Sequence, residues 1–315
     1  MARSCKSAYR SAALGDFALI DLKTLKLASR CYDYEPFGLA PQPAMEAFSS
    51  IAAIDLIENG PRAEREFWQK RQVVNLLRHA QSKSSFWRKR IGKRNLSFVK
   101  LTDLPIQSRA DVAEQTKAEG SLDPDKAGRG ETGYASTGST GTPVKVFVSK
   151  ENGRYNALRS LADYFMRGLP LDDNRTVLGP GIHVGKIEAG VAITRRRESW
   201  SGPLAGLFQT GPVKSISHNY DDAGLVAELL KDRVGYLNCP SRLLEIVIKR
   251  EGEEILDRLG IRLWRHTSDY CNPDVVEALR RRGIPTVSAY SCGEMGAIAF
   301  ECAQTPRHFH VATSN

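Results

Sequence analysis

The sequence predicts an α/β fold in which mostly parallel sheets are flanked by helices. From residue 176 onward, short strand patterns alternate with helix patterns. Such alternation is typical of parallel strands joined by right-handed helical crossovers. The length of 315 residues suits a large domain with a lobe attached and is enough to bury a substantial core. The sequence therefore predicts a globular α/β protein.

The spacing of apolar residues and prolines predicts helices in the first part of the chain. Prolines at positions 36, 41 and 43 mark a break, and residues 44–59 can then form an amphipathic helix. Gly60 and Pro61 end that helix, because glycine suits the cap and proline cannot continue a helix. Residues 62–81 again show apolar side chains at helical spacing. We therefore divide the chain into a partly helical N-terminal extension, 1–61, and one large domain, 62–315.

The second part of the chain supplies the strand and helix pairs of the parallel sheet. The predicted strands are 176–178, 234–237, 261–264 and 285–290, and the predicted helices are 222–231, 240–250 and 273–282. Proline is tolerated in the first turn of a helix, which is where Pro240 falls. In open parallel sheets, ligands bind beyond the carboxyl ends of the strands. The segments that follow the strands are therefore the place to look for a site.

Composition and cysteine spacing indicate a cytoplasmic protein without a membrane partner. Hydrophobic residues make up 41% of the chain and charged residues 26%, both ordinary for a soluble protein. No run approaches the roughly 20 apolar residues that span a bilayer. Asp16 and Asp21 interrupt the N-terminal apolar run, which argues against a secretory signal. The six cysteines include no C-x-x-C pair, so we expect no disulfide framework and a reducing compartment.

The formal net charge of +9 raises the question of a nucleic-acid partner. The basic clusters are 88–90, 93–94, 195–197 and 280–282, all within predicted helices or loops. Runs of this kind are usually solvated faces, and the alternative is that they attract ATP or another acidic substrate. Because no nucleic-acid-binding motif accompanies them, we expect no nucleic-acid partner.

The segment from Tyr134 to Lys145 reads Y-A-S-T-G-S-T-G-T-P-V-K and precedes a predicted strand at 144–148. Its glycines let the backbone turn and approach a bulky anion, and successive backbone N–H groups in such a turn form an anion-binding concavity. The hydroxyl side chains add further donors. An ordinary surface loop is the alternative. Thr142 stands where a Walker loop has lysine, which disfavours a Walker-type NTPase.

The order S-T-G-S-T-G-T-P resembles the phosphate loop of the adenylate-forming enzymes, [ST]-[ST]-G-[ST]-T-G-x-P. Within that superfamily the chain looks most like the phenylacetate–CoA ligase branch. Members of the branch carry a helix ending in H-A, then S-x-F-[YW]-[RK], then L-x-D-L-P-[IV]-x-[ST]-[RK]-x-D. Residues 79–80, 85–88 and 101–111 follow that order. The alternative for the aromatic pair Phe86 and Trp87 is packing in the core.

The resemblance implies where the phosphates of ATP would bind. They would be held by the loop residues Ser136, Thr137, Gly138, Ser139, Thr140 and Gly141. Lys145 follows at alternate spacing along the strand and would face either the phosphates or solvent.

A second motif of the family, Y-G-x-[ST]-E-x-G, matches at Tyr290, Glu294 and Gly296. The resemblance implies that Tyr290 lies against adenine and that Glu294 is the catalytic carboxylate that binds Mg²⁺. Ser291 and Gly293 depart from the motif. The adenine-pocket segment G-G-E-P becomes residues 267–270, in which only Asp269 keeps the acidic character. A surface carboxylate is the alternative for Glu294.

The resemblance implies ATP-dependent activation of a carboxylic acid as an acyl-adenylate, with transfer to a thiol. The family name suggests an aromatic acid, and the thiol would belong to coenzyme A or to the phosphopantetheine of a carrier protein. The resemblance covers residues 62–315 and the family's large N-terminal domain. The family's C-terminal lid domain has no counterpart in this sequence. The resemblance therefore implies a fragment of a longer protein, a separate lid domain as a partner, or a chain that has lost turnover. The alternative function is a non-catalytic binding or partner module with the same fold.

A zinc site is a further alternative near the end of the sequence. Thiolates and imidazoles are suitable zinc ligands, and Cys292, Glu301, Cys302, His308 and His310 lie close together in sequence. Their spacing matches no standard zinc pattern. Buried cysteines are common without any metal. We expect Cys292 and Cys302 to be buried cysteines without a metal.

Overall fold

The computed structural model describes residues 42–119, 134–135, 145–146, 150–179, 191–200, 207–217, 219–267, 269–292, 295–302, 308–312 and 314. The chain divides into two compact units. The sheet unit comprises 1–55, 160–291 and 297–312, and the helical unit comprises 56–159, 292–296 and 313–315.

The first part of the chain is mainly helical, as predicted. Its elements are α1 (Gln42–Asn59), α2 (Arg62–Lys83), α3 (Ser85–Ile91), a 3-10 turn (Leu101–Asp103), α4 (Arg109–Glu119), β1 (Tyr134–Ala135), β2 (Lys145–Val146) and α5 (Lys150–Met166). The predicted helices at 44–59 and 62–81 are confirmed as α1 and α2. Helix α5 was not predicted. The predicted strand at 144–148 is found as Lys145–Val146 within the described residues.

The helical unit packs around a small apolar cluster of Leu77, Ile91 and Leu96. The loop between α2 and α3 is closed by Ser84, whose hydroxyl accepts a hydrogen bond from the backbone N–H of Trp87 at 3.1 Å. This cap satisfies a donor of the first helical turn that would otherwise be unpaired. The Trp87 ring packs on the cluster, so core packing is confirmed for this aromatic residue.

A buried polar network lies elsewhere in the helical unit. The Glu58 carboxylate accepts hydrogen bonds from the backbone N–H and the hydroxyl of Ser314 at 2.9 and 2.7 Å. It also pairs with the buried Arg159 guanidinium at 3.4 Å. The Tyr155 hydroxyl donates to the carbonyl of Ser314. Glu58 therefore joins three distant parts of the sequence through one buried carboxylate.

An eight-stranded sheet organises the second part of the chain. Its strands are β3 (Arg175–Gly179), β4 (Thr194–Arg197), β5 (Val213–Ser217), β6 (Gly235–Cys239), β7 (Ile261–His266), β8 (Thr286–Cys292), β9 (Gly296–Glu301) and β10 (Phe309–Val311). The strand order is β10-β9-β8-β7-β6-β3-β5-β4. Strands β5, β3, β6, β7 and β8 run parallel, whereas β4 and β10 are antiparallel to their neighbours β5 and β9.

Helices cover both faces of this sheet. One face packs against α6 (Asp222–Leu230), α7 (Ser241–Glu251), α8 (Ile255–Leu259) and α9 (Pro273–Arg281). There the strand residues Leu237 and Trp264 share a fully apolar cluster with helix residues such as Leu229. On the other face Tyr236 of β6 packs on Tyr164 of α5, with ring centroids 5.3 Å apart. The predicted parallel α/β architecture is therefore confirmed.

The net charge of the chain is concentrated in one segment. Residues 62–94 contain eleven lysines and arginines and two glutamates, so this segment alone carries +9, the formal charge of the whole sequence. The segment spans α2 and α3, and α2 buries a single residue, Leu77, along its 22 residues. The basic cluster 195–197 lies on β4, whereas a helix or loop was expected. Within the described residues, no helix is long and apolar enough to cross a bilayer.

Candidate active site

The glycine- and hydroxyl-rich segment is flanked by a short antiparallel strand pair. Tyr134 pairs with Val146 and Ala135 pairs with Lys145. The strands β1 and β2 therefore bring the two ends of the intervening segment together, as in a hairpin. The predicted phosphate-binding residues Ser136, Thr137, Gly138, Ser139, Thr140 and Gly141 lie outside the described residues, and so does the Lys145 side chain. This segment belongs to the helical unit.

Tyr290 lies near the carboxyl end of β8, in the sheet unit. Its side chain is 63% exposed, which makes it a large aromatic surface open to a ligand. An exposed tyrosine ring can stack on a purine base. Glu294, the predicted magnesium ligand, lies outside the described residues.

Asp269 follows the carboxyl end of β7, the strand next to β8. Its carboxylate accepts hydrogen bonds from the backbone N–H groups of Ser241 at 3.0 Å and Arg242 at 3.2 Å. These are the first two residues of α7, whose amino end carries unpaired donors and the positive end of the helix dipole. The side chain that caps α7 therefore comes from another part of the chain. The sequence gives no signal for this contact, because Asp269 lies 28 residues after Ser241.

A polar chain continues from Asp269 into the sheet. The His266 ring nitrogen Nε2 lies 2.7 Å from Asp269 Oδ1, and its Nδ1 lies 3.2 Å from the Ser288 hydroxyl. The backbone N–H of Ser288 donates to the Glu301 carboxylate at 3.0 Å. His266 is buried, and both of its ring nitrogens have partners. The arrangement ties the carboxyl end of β7 to α7 and to Ser288 of β8, two residues before Tyr290.

The segment 101–111, which supports the family resemblance, contains capping devices. The Ser108 hydroxyl accepts from the Asp111 backbone N–H at 3.2 Å, and the Asp111 carboxylate accepts from the Ser108 backbone N–H at 2.7 Å. This reciprocal pair is a capping box at the start of α4. Asp111 also pairs with Arg90 at 3.0 Å, and the hydrogen bond from Arg90 is the largest cause of the lowered pKa of Asp111. The segment therefore starts α4 and ties it to α3.

The zinc alternative finds no support in the part of the chain that the structure describes. There, no group of three or more His, Cys, Asp or Glu side chains is placed to hold a metal ion. Cys302 is buried and Cys292 is half-buried. The rings of His308 and His310 pack edge to face, 5.4 Å apart.

An apolar cavity of about 500 Å³ lies in the helical unit, between the end of α1 and the first half of α2. Its lining includes Leu56, Ile57, Phe67 and Trp68. Phe67 is an apolar residue of the mainly polar helix α2, and it is 61% exposed. The adjacent aromatic residues in a polar helix were the only signal for this cavity in the sequence.

No protein-family model matches the sequence, and no curated protein matches it. Among solved structures, the fold is similar to a 2-hydroxyisobutyryl-CoA ligase, solved in an open conformation in complex with 2-HIB-AMP and CoA. The TM-score is 0.57 at 14% sequence identity, and the match covers 82% of this chain and 61% of the ligase. The chain thus spans about three fifths of the length of that ligase.

Two further structures show weaker similarity. The O-succinylbenzoate coenzyme A synthetase MenE from Bacillus subtilis, in complex with AMP, matches at a TM-score of 0.37 and 13% identity, over 54% of this chain and 31% of that chain. VinN matches at a TM-score of 0.35 and 14% identity, over 62% of this chain and 45% of the VinN chain. We assign the fold from the match to the 2-hydroxyisobutyryl-CoA ligase and from the parallel sheet, which helices cover on both faces. The chain therefore shares its α/β fold with the part of that ligase that the match covers.

Proposed function

We propose that the chain binds ATP and a small carboxylic acid and activates the acid as an acyl-adenylate for transfer to a thiol. The observation that carries the proposal is the S-T-G-S-T-G-T-P segment on this fold. The strand pair β1 and β2 supports it, because it brings the two ends of the intervening segment together. A glycine- and hydroxyl-rich turn of this kind offers several N–H and O–H donors to phosphate oxygens.

The residues present fit a nucleotide in part. The exposed ring of Tyr290 offers a surface for adenine. Ser136, Thr137, Ser139 and Thr140 would donate hydrogen bonds to the phosphates, and the glycines Gly138 and Gly141 would let the backbone approach them. Lys145 would add a positive charge if it faces the phosphates. Magnesium bound by Glu294 would supply further positive charge beside the phosphates.

The chemistry asked of these residues is mainly electrostatic. The acid's carboxylate attacks the α-phosphorus of ATP, the bond to pyrophosphate breaks, and pyrophosphate leaves with the electron pair. Donors fixed in advance around the phosphates stabilise the negative charge that spreads over their oxygens. The acyl-adenylate is then open to a thiol such as that of coenzyme A or of a carrier's phosphopantetheine. We propose further that the acid is aromatic and that the chain belongs to the phenylacetate–CoA ligase branch.

The first test is a thermal-unfolding titration of the 315-residue chain with Mg²⁺–ATP and with AMP. A ligand at a hundredfold excess over its dissociation constant stabilises the folded state by about 2.7 kcal/mol. We expect Mg²⁺–ATP to raise the unfolding temperature, and Ser139→Ala with Thr140→Ala to remove most of that shift. Pyrophosphate release with a panel of carboxylic acids would then test activation.

A matched control separates the site from the protein's general charge. Glu294→Ala should weaken the response to Mg²⁺–ATP, whereas Glu277→Ala should leave it unchanged. Glu277 is a carboxylate of α9 whose side chain is 43% exposed and pairs with Arg280 at 2.7 Å. If neither nucleotide shifts the unfolding of the parent chain, the proposal is wrong.

A second candidate function is a non-catalytic binding module with the same fold. The observation that favours it is Asp269, which replaces the family's adenine-pocket acid and whose carboxylate is engaged in capping α7. Such a module would bind another protein and not respond to nucleotide. The nucleotide titration above therefore discriminates between the two functions.

A further inference from the structure

Two arginines project from the α5 face of the sheet. Arg175 is the first residue of β3, and Arg265 is the fifth residue of β7. Strand β6 lies between these strands, where Tyr236 pairs with Arg175 and Asn238 pairs with Arg265. Paired residues of parallel strands point to the same face, and alternate residues of one strand do as well. Both arginines therefore share the face of Tyr236, which packs on Tyr164.

Aromatic rings surround the two guanidinium groups. The Arg175 and Arg265 guanidinium carbons lie 5.9 and 5.8 Å from the ring centroid of Tyr164. Arg175 also lies 5.6 Å from the Trp200 ring, and Arg265 lies 5.4 Å from the Phe300 ring. At these distances the ring faces attract a cation. Arg265 is buried and Arg175 is half-buried, and the rings around them offer few hydrogen-bond acceptors.

No carboxylate accompanies either guanidinium among the described residues. Arg265 is 5% exposed, and its Nη1 is enclosed without a hydrogen-bond partner. The Nε of Arg175 is enclosed in the same way. Arg167 of the same unit makes the usual arrangement instead, because it pairs with the buried Asp163 carboxylate at 3.0 Å. The pair at Tyr164 thus differs from the ordinary buried arginine of this protein.

A buried guanidinium without an anion is unfavourable. Its charge has left water, and aromatic faces replace only part of the lost solvation. Burial lowers the pKa of Arg175, with Tyr164 acting in the opposite direction and the nearby Arg265 charge lowering the pKa further. Two like charges in one apolar shell would each be stabilised by a single anion that accepts hydrogen bonds from their free N–H groups.

We propose that Arg175 and Arg265 form an oxyanion-binding site beside Tyr164. The ligand is a small molecule with a carboxylate or a phosphate group, since the planar guanidinium fork matches both. The aromatic rings lower the local dielectric constant and so strengthen the ion pairs that the anion forms. This site goes beyond the proposed function, because it needs neither the phosphate loop nor any turnover.

The test is isothermal titration calorimetry on the full 315-residue chain with inorganic phosphate, AMP, benzoate and malonate. We expect at least one of these to bind and Arg265→Met to weaken that binding by about tenfold or more. Arg195→Met is the matched control, because Arg195 is an exposed arginine of β4 and its loss should leave the affinity unchanged. Phosphate or AMP binding alone identifies a phosphate ligand, and benzoate or malonate binding alone identifies a carboxylate ligand.

Stability in a buffer without these anions gives a second readout. Methionine fills much of the space of arginine without its charge, so Arg265→Met should leave the urea midpoint equal to or above that of the parent. A purely structural arginine would instead lower the midpoint. Failure of all four probes to bind the parent, or equal affinity in Arg265→Met, overturns the proposal.

A further pair of variants covers the case in which Arg265→Met does not fold. Arg265→Lys keeps the charge but not the planar fork, and Arg175→Met removes the other charge. Each should weaken the bound probe by about tenfold, and unchanged affinity in both contradicts the site. The Ser139→Ala and Thr140→Ala titration tests the proposed function separately, so either idea can fail without the other.

Discussion

His266 and Asp269 form a hydrogen bond of 2.7 Å between Nε2 and Oδ1, at the carboxyl end of β7. The same carboxylate caps α7 through the backbone N–H groups of Ser241 and Arg242. One side chain therefore satisfies a buried histidine and a helix terminus at once. Its loss leaves donors on both elements without an acceptor.

We predict that Asp269→Ala lowers the free energy of unfolding by about 2 kcal/mol. About 1 kcal/mol comes from the lost cap, and a similar amount comes from the unpaired His266 nitrogen. Urea unfolding measures the change. Asp221→Ala is the comparison, because Asp221 caps α6 through the backbone N–H of Gly224 and has no hydrogen bond to a histidine among the described residues. It should cost about 1 kcal/mol. Equal costs for the two variants would mean that the histidine bond contributes nothing.

The second prediction concerns the buried Glu58 carboxylate. Glu58→Ala should destabilise the protein by about 3 to 5 kcal/mol, because it removes a carboxylate from beside the buried Arg159 and the acceptor of both Ser314 donors. Chemical denaturation would be followed by tryptophan fluorescence. Glu66→Ala is the control, since Glu66 is exposed and pairs with the exposed Arg62. It should leave the denaturation midpoint close to that of the parent, because an exposed ion pair contributes little to stability.

Gly235 and Gly283 provide a matched pair for the third prediction. Both have positive φ, +64° and +65°. A Cβ at Gly283 meets nothing within 4 Å, whereas a Cβ at Gly235 would overlap the backbone carbonyl of Asn174. That carbonyl accepts the Tyr236 N–H at 2.8 Å, so it cannot move freely.

We therefore expect Gly283→Ala to cost about 1 kcal/mol, the price of a left-handed alanine. Gly235→Ala should cost about 3 kcal/mol or more, because strain and overlap add. The difference between the two urea midpoints measures the overlap. Similar midpoints would show that the backbone at Asn174 yields without cost.

The fourth prediction is a pH dependence near Asp232. A hydrogen bond from Lys214, and a second from Arg196, lower the pKa of Asp232 below its ordinary value of 3.8. A lowered pKa in the folded state means that this group stabilises the fold above the unfolded pKa and that the contribution disappears as pH falls through the folded pKa. Acidification should therefore weaken the protein through this group.

Asp232→Asn should destabilise the protein at neutral pH, and the gap between parent and variant should narrow between about pH 5 and about pH 3. Urea midpoints across that range provide the measurement. Asp257→Asn is the control, because the Asp257 carboxylate is 66% exposed and its loss should cost less than about 0.5 kcal/mol at each pH. A constant gap for Asp232→Asn would contradict the prediction.

The parallel sheet could be predicted because its central strands are apolar and regularly spaced. Ile261–His266 and Gly235–Cys239 contain the buried Leu237 and Trp264, and their flanking helices begin at prolines or good caps. Strand β5 could not be predicted from such a pattern. Its sequence V-K-S-I-S includes Lys214, which is buried only because Asp232 and the Glu228 carbonyl accept its hydrogen bonds.

Helix α5 and the role of Asp269 were missed for related reasons. Asn152 and Gly153 weaken the helical pattern at the start of α5, and its stability comes from Tyr164 packing on the sheet. Asp269 was correctly placed after a strand, but its carboxylate was interpreted through the family motif alone. Its capping of Ser241 depends on the crossover between β6 and β7, which is a property of the tertiary structure. The nucleotide-binding roles of Glu294 and Ser139 remain predictions.

The confinement of the net charge to residues 62–94 has a consequence for how the protein meets other molecules. The rest of the chain is electrically balanced, so a polyanion exerts its net pull on α2 and α3. Adsorption to an acidic surface or a cation-exchange resin should therefore be oriented, with these two helices arriving first. At physiological ionic strength the Debye length is about 8 Å, so the charge orients the protein only when it is within about that distance of the surface. In dilute buffer the same charge acts over a longer range and would dominate the protein's colloidal behaviour.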